Sequence, residues 1–315
     1  MHLIFPDIAQ ASLGGQVLRL FGLMFGLFFA IVAAISLLRL AQGKEIKSLW
    51  VKFGAWLLII PPLLIPLLLH KILFIVIFYV LSQLCFREYA RSTGLSSSKS
   101  FMIVSIAAIT LIYLPILIRN KGMFETVAMW AMLMVMALPV ALDRFQDMTQ
   151  KSCLAVLGVL YFGWMLSHTA WSIHGQYGVQ HILFLMFIVS ANDAFAYIWG
   201  SLIGKHLLAP NVSPHKTVEG ALGAMASVIF LGWFLRFLVP EVTLIKLILL
   251  CTLLSICGVL GDLVISYIKR DMNIKDMGAV IPGHGGLLDR FDSLIFAAPV
   301  FYHFIGYFYG HGLGL

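Results

Sequence analysis

The sequence has few charged residues and little cysteine. Asp, Glu, Lys and Arg make up only 11% of its 315 residues, so the position of each charge is informative. None of the four cysteines forms a Cys-x-x-Cys pair, and the sequence therefore offers neither a zinc motif nor a disulfide framework. We expect all four to be small core residues: Cys85, Cys153, Cys251 and Cys257.

A basic excess is present, but the features of a nucleic-acid-binding protein are not. The net charge is +7, yet the basic residues form no stripe and have no accompanying ladder of aromatic residues. No soluble domain is available to carry such a surface. We therefore expect no nucleic-acid partner, and attribute the excess to loops that flank membrane spans on the cytoplasmic side.

Apolar residues dominate the chain. They make up 61% of it, and the mean hydropathy is +0.98, more than one soluble core could bury. The long apolar runs lack the two-residue alternation of a transmembrane barrel, so we predict an all-α, polytopic integral membrane protein with about ten transmembrane helices. The predicted spans are residues 18–39, 53–69, 71–86, 101–118, 123–142, 152–171, 179–199, 218–239, 242–265 and 291–309.

Basic loops predict the orientation of these spans. Lys44, Arg87 and Arg144 follow the first, third and fifth spans. The positive-inside rule places their loops, and those after the seventh and ninth spans, in the cytoplasm. We expect a protein of a bacterial inner membrane whose polar loops face the cytoplasm.

Charge is concentrated towards the C-terminal end, where nine charged side chains lie between residues 262 and 292. In a helix, Asp262, Ser266 and Lys269 share one face because they are spaced by four and three residues. An unpaired carboxylate is costly at the membrane boundary, so Asp262 should meet a cation, either Mg²⁺ or Lys269. The remaining charged residues here are Arg270, Asp271, Lys275, Asp276, Asp289, Arg290 and Asp292.

A glycine-rich loop interrupts this charged segment. Residues 282–286 read Pro-Gly-His-Gly-Gly, a composition that favours a tight, non-helical turn with backbone N–H groups close to an anion. The candidate binding residues of the loop are Gly283, His284, Gly285 and Gly286. Asp289 and Asp292 follow it; either they belong to the same site or they are acidic residues that favour the start of the tenth span.

A second polar cluster lies one hairpin upstream. Asp193 interrupts the seventh span, and a buried acid at that depth predicts a functional role. Ser213 can cap a helix that begins near Pro214, which would place Lys216 at its positive end as a phosphate site beside Thr217. The alternative is that this stretch is only a helix-capping pattern.

Glu88 is a charged residue inside the first half of the chain. It neighbours Arg87 and lies three residues before Arg91. Charges at such helical spacing predict a surface ion pair.

The charged segment is close enough to a known signature to name the family. Residues 266–292 resemble the pattern S-x-x-K-R-x4-K-D-x-G-x-x-I-P-G-H-G-G-x-x-D-R-x-D of the CTP:phosphatidate cytidylyltransferases, also called CDP-diacylglycerol synthases. The upstream stretch is similar as well, apart from Val218, where the family usually has Trp. The resemblance extends over about residues 190–300 and implies two regions: N-terminal transmembrane helices (1–178) and a C-terminal catalytic transmembrane region (179–315).

The resemblance implies an integral membrane enzyme, acting as a homodimer, that joins CTP to phosphatidate. The products would be pyrophosphate and CDP-diacylglycerol. It also implies Mg²⁺ bound by Asp262 and Asp289, and it leaves open a second cation. The alternatives are a CTP-dependent transferase for another lipid phosphate or a polyprenol, and a secondary transporter with buried acids beside broken helices.

Together, the residues and the resemblance give a set of candidate site positions. The residues assigned to catalysis are Asp262, Lys269, Arg270, Asp289 and Arg290. Those assigned to substrate binding are Asp193, Ser213, Lys216, Thr217, Ser266, Lys275, Asp276, Gly283, His284, Gly285, Gly286 and Asp292.

Overall fold

The computed structural model describes residues 62–278 and 286–310, which are almost entirely helical. The helices are α1 (Lys71–Ser92), α2 (Lys99–Ile118), α3 (Lys121–Ala141), α4 (Met148–His174), α5 (Gly178–Ile203), α6 (Val218–Phe234), α7 (Leu244–Asp271) and α8 (Leu288–Tyr309). Strands β1 (Leu207–Ala209) and β2 (Ser213–Thr217) form an antiparallel hairpin between α5 and α6. The described residues from 70 onward belong to one compact unit, and the helical segment 62–69 belongs to another.

Seven of these helices are long and apolar enough to cross a membrane, within the part of the chain that the structure describes. The exception is α6, a shorter apolar helix. The architecture confirms an all-α membrane protein, and each predicted span from residue 71 onward coincides with one helix. The span at 18–39 lies outside the described residues, as does most of the span at 53–69.

Local sequence explains where the helices begin. The side chain of His70 accepts a hydrogen bond from the N–H of Ile72 (3.2 Å) at the start of α1. The side chain of Asn120 does the same for Met123 (2.9 Å) at the start of α3. Each side chain satisfies an N–H group that has no partner within the helix. The short connections from α1 to α5 make successive helices there run in opposite directions.

One face of the bundle collects the polar motifs, and we call it the motif face. It is defined as the face where α1, α5 and α7 end and where α6 and α8 begin. A hydrogen bond from the hydroxyl of Ser92 to the carbonyl of Met277 (3.0 Å) joins the end of α1 to the loop after α7. The candidate site residues that the structure describes lie on this face or within a few helical turns of it.

Helices α7 and α8 approach each other closely at Gly261. A Cβ atom at this position would collide with the backbone of Asp292 and lie 3.0 Å from the Cα of Ser293. Only glycine allows this approach, because the obstructing atoms belong to the main chain of another helix. The contact holds the helix of Asp262 against the first turns of α8.

We therefore predict that Gly261→Ala destabilises the protein by about 1 to 3 kcal/mol, the usual cost of overpacking a tight contact. Gly122→Ala is the matched control, because the nearest atom to its Cβ is 3.8 Å away in a side chain. The control should be neutral or slightly stabilising. Thermal unfolding of the purified full chain in one detergent compares the two variants, and equal melting temperatures would contradict the close-packing argument.

Candidate active site

The candidate site has two acidic centres, each an aspartate paired with a lysine, and Asp262 on α7 forms the first. One carboxylate oxygen lies 2.6 Å from the ammonium nitrogen of Lys216, and the other accepts a hydrogen bond from the hydroxyl of Ser266 at 3.1 Å. Asp262 does meet a cation, but the side chain that pairs with it is Lys216, whereas Lys269, one of the two expected candidates, pairs with Asp289. The partner comes from β2, because the hairpin carries Lys216 across to α7.

Asp289 in the first turn of α8 is the second centre. Lys269 lies 2.9 Å from one carboxylate oxygen. The other oxygen accepts hydrogen bonds from the backbone N–H groups of Met277 (3.1 Å) and Gly286 (3.0 Å). The carboxylate of Asp289 thus ties the backbone at Met277 and Gly286 to Lys269 of α7 and neutralises the ammonium group.

Two further aspartates approach the first centre. Ser293 donates its hydroxyl hydrogen to Asp193 (3.2 Å) and its backbone N–H to Asp292 (2.8 Å). The carboxylates of Asp193, Asp262 and Asp292 lie within electrostatic reach of one another. Asp193 is exposed on α5, a helix that packs against α6, α7 and α8.

Asn192 fixes the depth at which α5 meets α7. It is fully buried, and its side-chain oxygen accepts a hydrogen bond from the hydroxyl of Ser255 at 2.6 Å. A Cβ at Gly258 would lie 3.2 Å from the amide nitrogen of Asn192, which shows how closely the two helices pack. The neighbouring Asp193 is thereby held at the level of the acidic cluster.

The hairpin before α6 corrects one expectation. The sequence predicts a helix from Pro214 capped by Ser213, but Ser213–Thr217 is a strand paired with Leu207–Ala209. The helix begins at Val218, and the hydroxyl of Thr217 accepts a hydrogen bond from the N–H of Gly220 at 3.1 Å. Lys216 therefore projects from a strand, where it meets Asp262 rather than a helix N-terminus.

Other predicted residues lie at the edge of this arrangement. Arg270 is exposed and donates a hydrogen bond to the carbonyl of Val212 (3.3 Å), joining α7 to the hairpin turn. Lys275 and Asp276 are exposed on the loop after α7, and Arg290 is exposed on α8. Gly286 is buried beside Asp289. Gly283, His284 and Gly285 lie outside the described residues.

Glu88 was wrongly interpreted as a surface ion pair. It is 6% exposed, and its two carboxylate oxygens accept hydrogen bonds from the backbone N–H groups of Leu287 (3.0 Å) and Leu288 (2.9 Å). The sequence did contain a signal, because Leu81, Cys85 and Glu88 follow one another at four and three residues along one buried stripe of α1. Its partner loop lies 199 residues away and could not be read from local spacing.

Comparison with known families shows which family the chain belongs to. Residues 50–308 match the family model described as the cytidylyltransferase family. The chain belongs to the cytidylyltransferase family. The described residues of both acidic centres fall inside the matched range, so the candidate site lies within the region that this chain shares with the family.

The matches to two relatives extend over most of the relatives' own length. The chain is similar to the phosphatidate cytidylyltransferase of Staphylococcus epidermidis, with 34% identity over 75% of this chain and 91% of the relative. It is similar to that of Bacillus subtilis, with 30% identity over 76% and 90%. It also matches the uncharacterized protein YnbB of Escherichia coli at 40% identity, over 49% of this chain and 55% of YnbB.

The donor set of this cytidylyltransferase suits a hard divalent cation. Among residues 62–278 and 286–310, no three His, Cys, Asp or Glu side chains form a preassembled metal site. Mg²⁺ does not require one, because it commonly binds one or two carboxylates together with water and substrate phosphates. Asp193, Asp262 and Asp292 come from three helices, Ser293 hydrogen-bonds to both Asp193 and Asp292, and carboxylate oxygens are ligands that such a cation prefers. At Asp289, a cation would have to share or replace Lys269.

The hairpin geometry leads to a stability prediction. Thr217→Ala removes the cap of α6 and should lower the free energy of unfolding by about 1 kcal/mol. Ser213→Ala, at the position where the sequence predicted the cap, should leave the melting temperature unchanged. Thermal unfolding of the two variants in the same detergent decides between them, and the reverse order would mean that Ser213 is the functional cap.

Proposed function

We propose that the chain is a phosphatidate cytidylyltransferase, which transfers the cytidylyl group of CTP to phosphatidate and releases pyrophosphate. The observation that carries this proposal is the presence of two Lys–Asp pairs on the motif face, Lys216 with Asp262 and Lys269 with Asp289. The family membership and the printed names of the S. epidermidis and B. subtilis relatives support the same reaction.

The location of the cluster suits these two substrates. CTP arrives from water, whereas the acyl chains of phosphatidate stay in the bilayer. A polar site at the ends of membrane-spanning helices lies between the two phases. The lipid phosphate would approach along α5, where Asp193 is exposed.

The reaction needs alignment more than proton transfer. A phosphate oxygen of phosphatidate attacks the α-phosphorus of CTP, and the bond to the bridging oxygen of the β-phosphate breaks, so that its electron pair leaves with pyrophosphate. The nucleophile is already an anion, so we assign no general base. Catalysis then rests on in-line positioning and on stabilising negative charge.

The lysines can exchange partners when phosphates bind. Without substrate, Lys216 and Lys269 are each neutralised by an aspartate. Phosphate oxygens offer the ammonium groups equivalent acceptors with more negative charge. Arg270, Lys275 and Arg290 lie at the exposed rim of the site, where they would contact the triphosphate, and Gly283, His284 and Gly285 remain the predicted phosphate loop.

Mg²⁺ is the cofactor that we propose for this site, with Asp262 and Asp289 as its ligands and a second cation left open. When bound, Mg²⁺ would supply neutralisation of the triphosphate and of the leaving pyrophosphate. Asp193 and Asp292 lie nearby, joined through Ser293, and would offer further carboxylate oxygens. Displacement of a lysine from either aspartate would free that lysine for a phosphate.

Topology and assembly complete the proposal. The basic loops favour a cytoplasmic motif face in a bacterial inner membrane, with about ten spans once the predicted ones before residue 71 are included. A homodimer stays an expectation from the family resemblance, as does the division into residues 1–178 and 179–315.

The reaction can be tested directly on the purified full chain in lipid. We expect phosphatidate, Mg²⁺ and CTP to give CDP-diacylglycerol and one pyrophosphate for each product formed, whereas ATP, GTP and UTP give none. Release of CDP would indicate a lipid kinase, and product only from another lipid phosphate would change the acceptor. Solute flux in sealed vesicles without nucleotide turnover would indicate a transporter and contradict the proposal.

Single substitutions test the two centres. Asp262→Asn and Asp289→Asn should each lower kcat by roughly 100-fold or more. Each removes a negative charge that, in the proposed site, binds Mg²⁺ and positions a lysine beside the reacting phosphates. Glu125→Gln is the matched control, because Glu125 is exposed near the start of α3 and pairs only loosely with Lys121 (3.9 Å). Wild-type rates and an unchanged Mg²⁺ titration for either Asn variant would remove that residue from the site.

A further inference from the structure

We propose that Glu88 is a positioning residue for the transfer reaction: by binding the first N–H groups of α8, its carboxylate holds Asp289 in the active site. This inference rests on the proposed function. Glu88 belongs to α1 and touches neither of the two lysines, so its effect has to pass through the backbone of the loop and of α8.

The start of α8 has no cap of its own. The first N–H groups of a helix lack partners inside that helix, and at α8 no side chain from the preceding residue supplies one. Both oxygens of Glu88 fill this role for Leu287 and Leu288. A carboxylate is also the favoured group at the positive end of a helix dipole. Helix α1 thus provides the cap that α8 lacks.

The loop is shaped around the same carboxylate. A Cβ at Gly278 would lie 2.6 Å from one oxygen of Glu88, and a Cβ at Gly286 would lie 2.6 Å from the other. The backbone therefore lies close against the carboxylate of Glu88 at both Gly278 and Gly286. A side chain at either position would displace the carboxylate.

The same backbone holds Asp289. Met277 and Gly286 donate their N–H groups to Asp289, and Ser92, one turn beyond Glu88 on α1, donates to the carbonyl of Met277. Residues 287 and 288 connect directly to Asp289. Movement of the helix start would therefore move the carboxylate that pairs with Lys269.

The charge and shape of Glu88 suggest matched variants. Glu88→Gln keeps the length and one acceptor oxygen, and Glu88→Ala removes both acceptors. Gly278→Ala leaves Glu88 intact but adds a methyl group against its carboxylate. Arg91→Gln is the control, because Arg91 is exposed and is the partner expected for a surface ion pair.

For the purified full chain in lipid, we expect Glu88→Gln to lower kcat about 10-fold and Glu88→Ala about 100-fold, the scale of a small misalignment at the reacting atoms. KM for CTP should change much less, since Lys216 and the residues of α7 keep their places. Gly278→Ala should resemble Glu88→Gln, and Gly278→Ala combined with Glu88→Ala should be no worse than Glu88→Ala alone. Arg91→Gln should match the wild type.

Hydrogen–deuterium exchange supplies a readout independent of activity. The amides of Leu287 and Leu288 should be protected in the wild type, and they should exchange faster in both Glu88 variants and in Gly278→Ala, with α5 and α6 unchanged. Rapid exchange of these amides in the wild type, or unchanged kcat with unchanged protection in Glu88→Ala, would overturn the proposal. So would equal losses of kcat in Arg91→Gln and Glu88→Gln.

These outcomes separate the two proposals. If the Glu88 variants fail to fold, Gly278→Ala and wild-type exchange still decide whether the contact positions Asp289. If the wild type makes no CDP-lipid from CTP, the proposed function fails. Faster exchange at residues 287 and 288 in the variants would then still establish the contact.

Discussion

The neutralisation of aspartates at the ends of membrane helices is the constraint on which this structure depends. An uncompensated carboxylate is costly to bury at the edge of a membrane, so each buried aspartate needs a cation or hydrogen-bond donors close by. Lys216 and Lys269 are placed on Asp262 and Asp289 by elements from different parts of the chain. The pairs keep charge in place where, in the proposed function, substrate phosphates bind and take over the lysines.

The surrounding fold serves to bring these pairs together. Gly261, the residue before Asp262, allows α7 to approach α8 until it lies against the backbone of Asp292 and Ser293. The β-hairpin aims Lys216 at α7. Glu88 brings α1 into the same assembly from the first half of the described chain. None of these contacts is between sequence neighbours, so the site depends on the packing of the whole bundle.

The helices could be predicted from the sequence because an apolar run in lipid has few alternatives to a helix. Several residues of the site could also be predicted, because charges such as Asp262 and Asp289 are conspicuous among apolar neighbours. Their pairing could not be predicted. Lys269 is closer to Asp262 in sequence, but it faces Asp289 once α8 packs against α7.

The remaining errors have similar causes. Ser213 and Thr217 are both good helix caps, and the choice was made by strand pairing with residues 207–209, which local sequence does not encode. Glu88 resembled a surface charge because its partners are backbone N–H groups from a distant loop. The phosphate-loop residues Gly283, His284 and Gly285 lie outside the described residues and stay predictions.

The most direct measurement is an experimental structure of the full chain with CTP and Mn²⁺ in place of Mg²⁺, in which anomalous scattering locates the metal. We expect Mn²⁺ to bind carboxylate oxygens of Asp262 and Asp289, with Lys216 and Lys269 turned onto phosphate oxygens of the nucleotide. Mn²⁺ and CTP bound elsewhere, with both Lys–Asp pairs intact, would contradict the proposed active site.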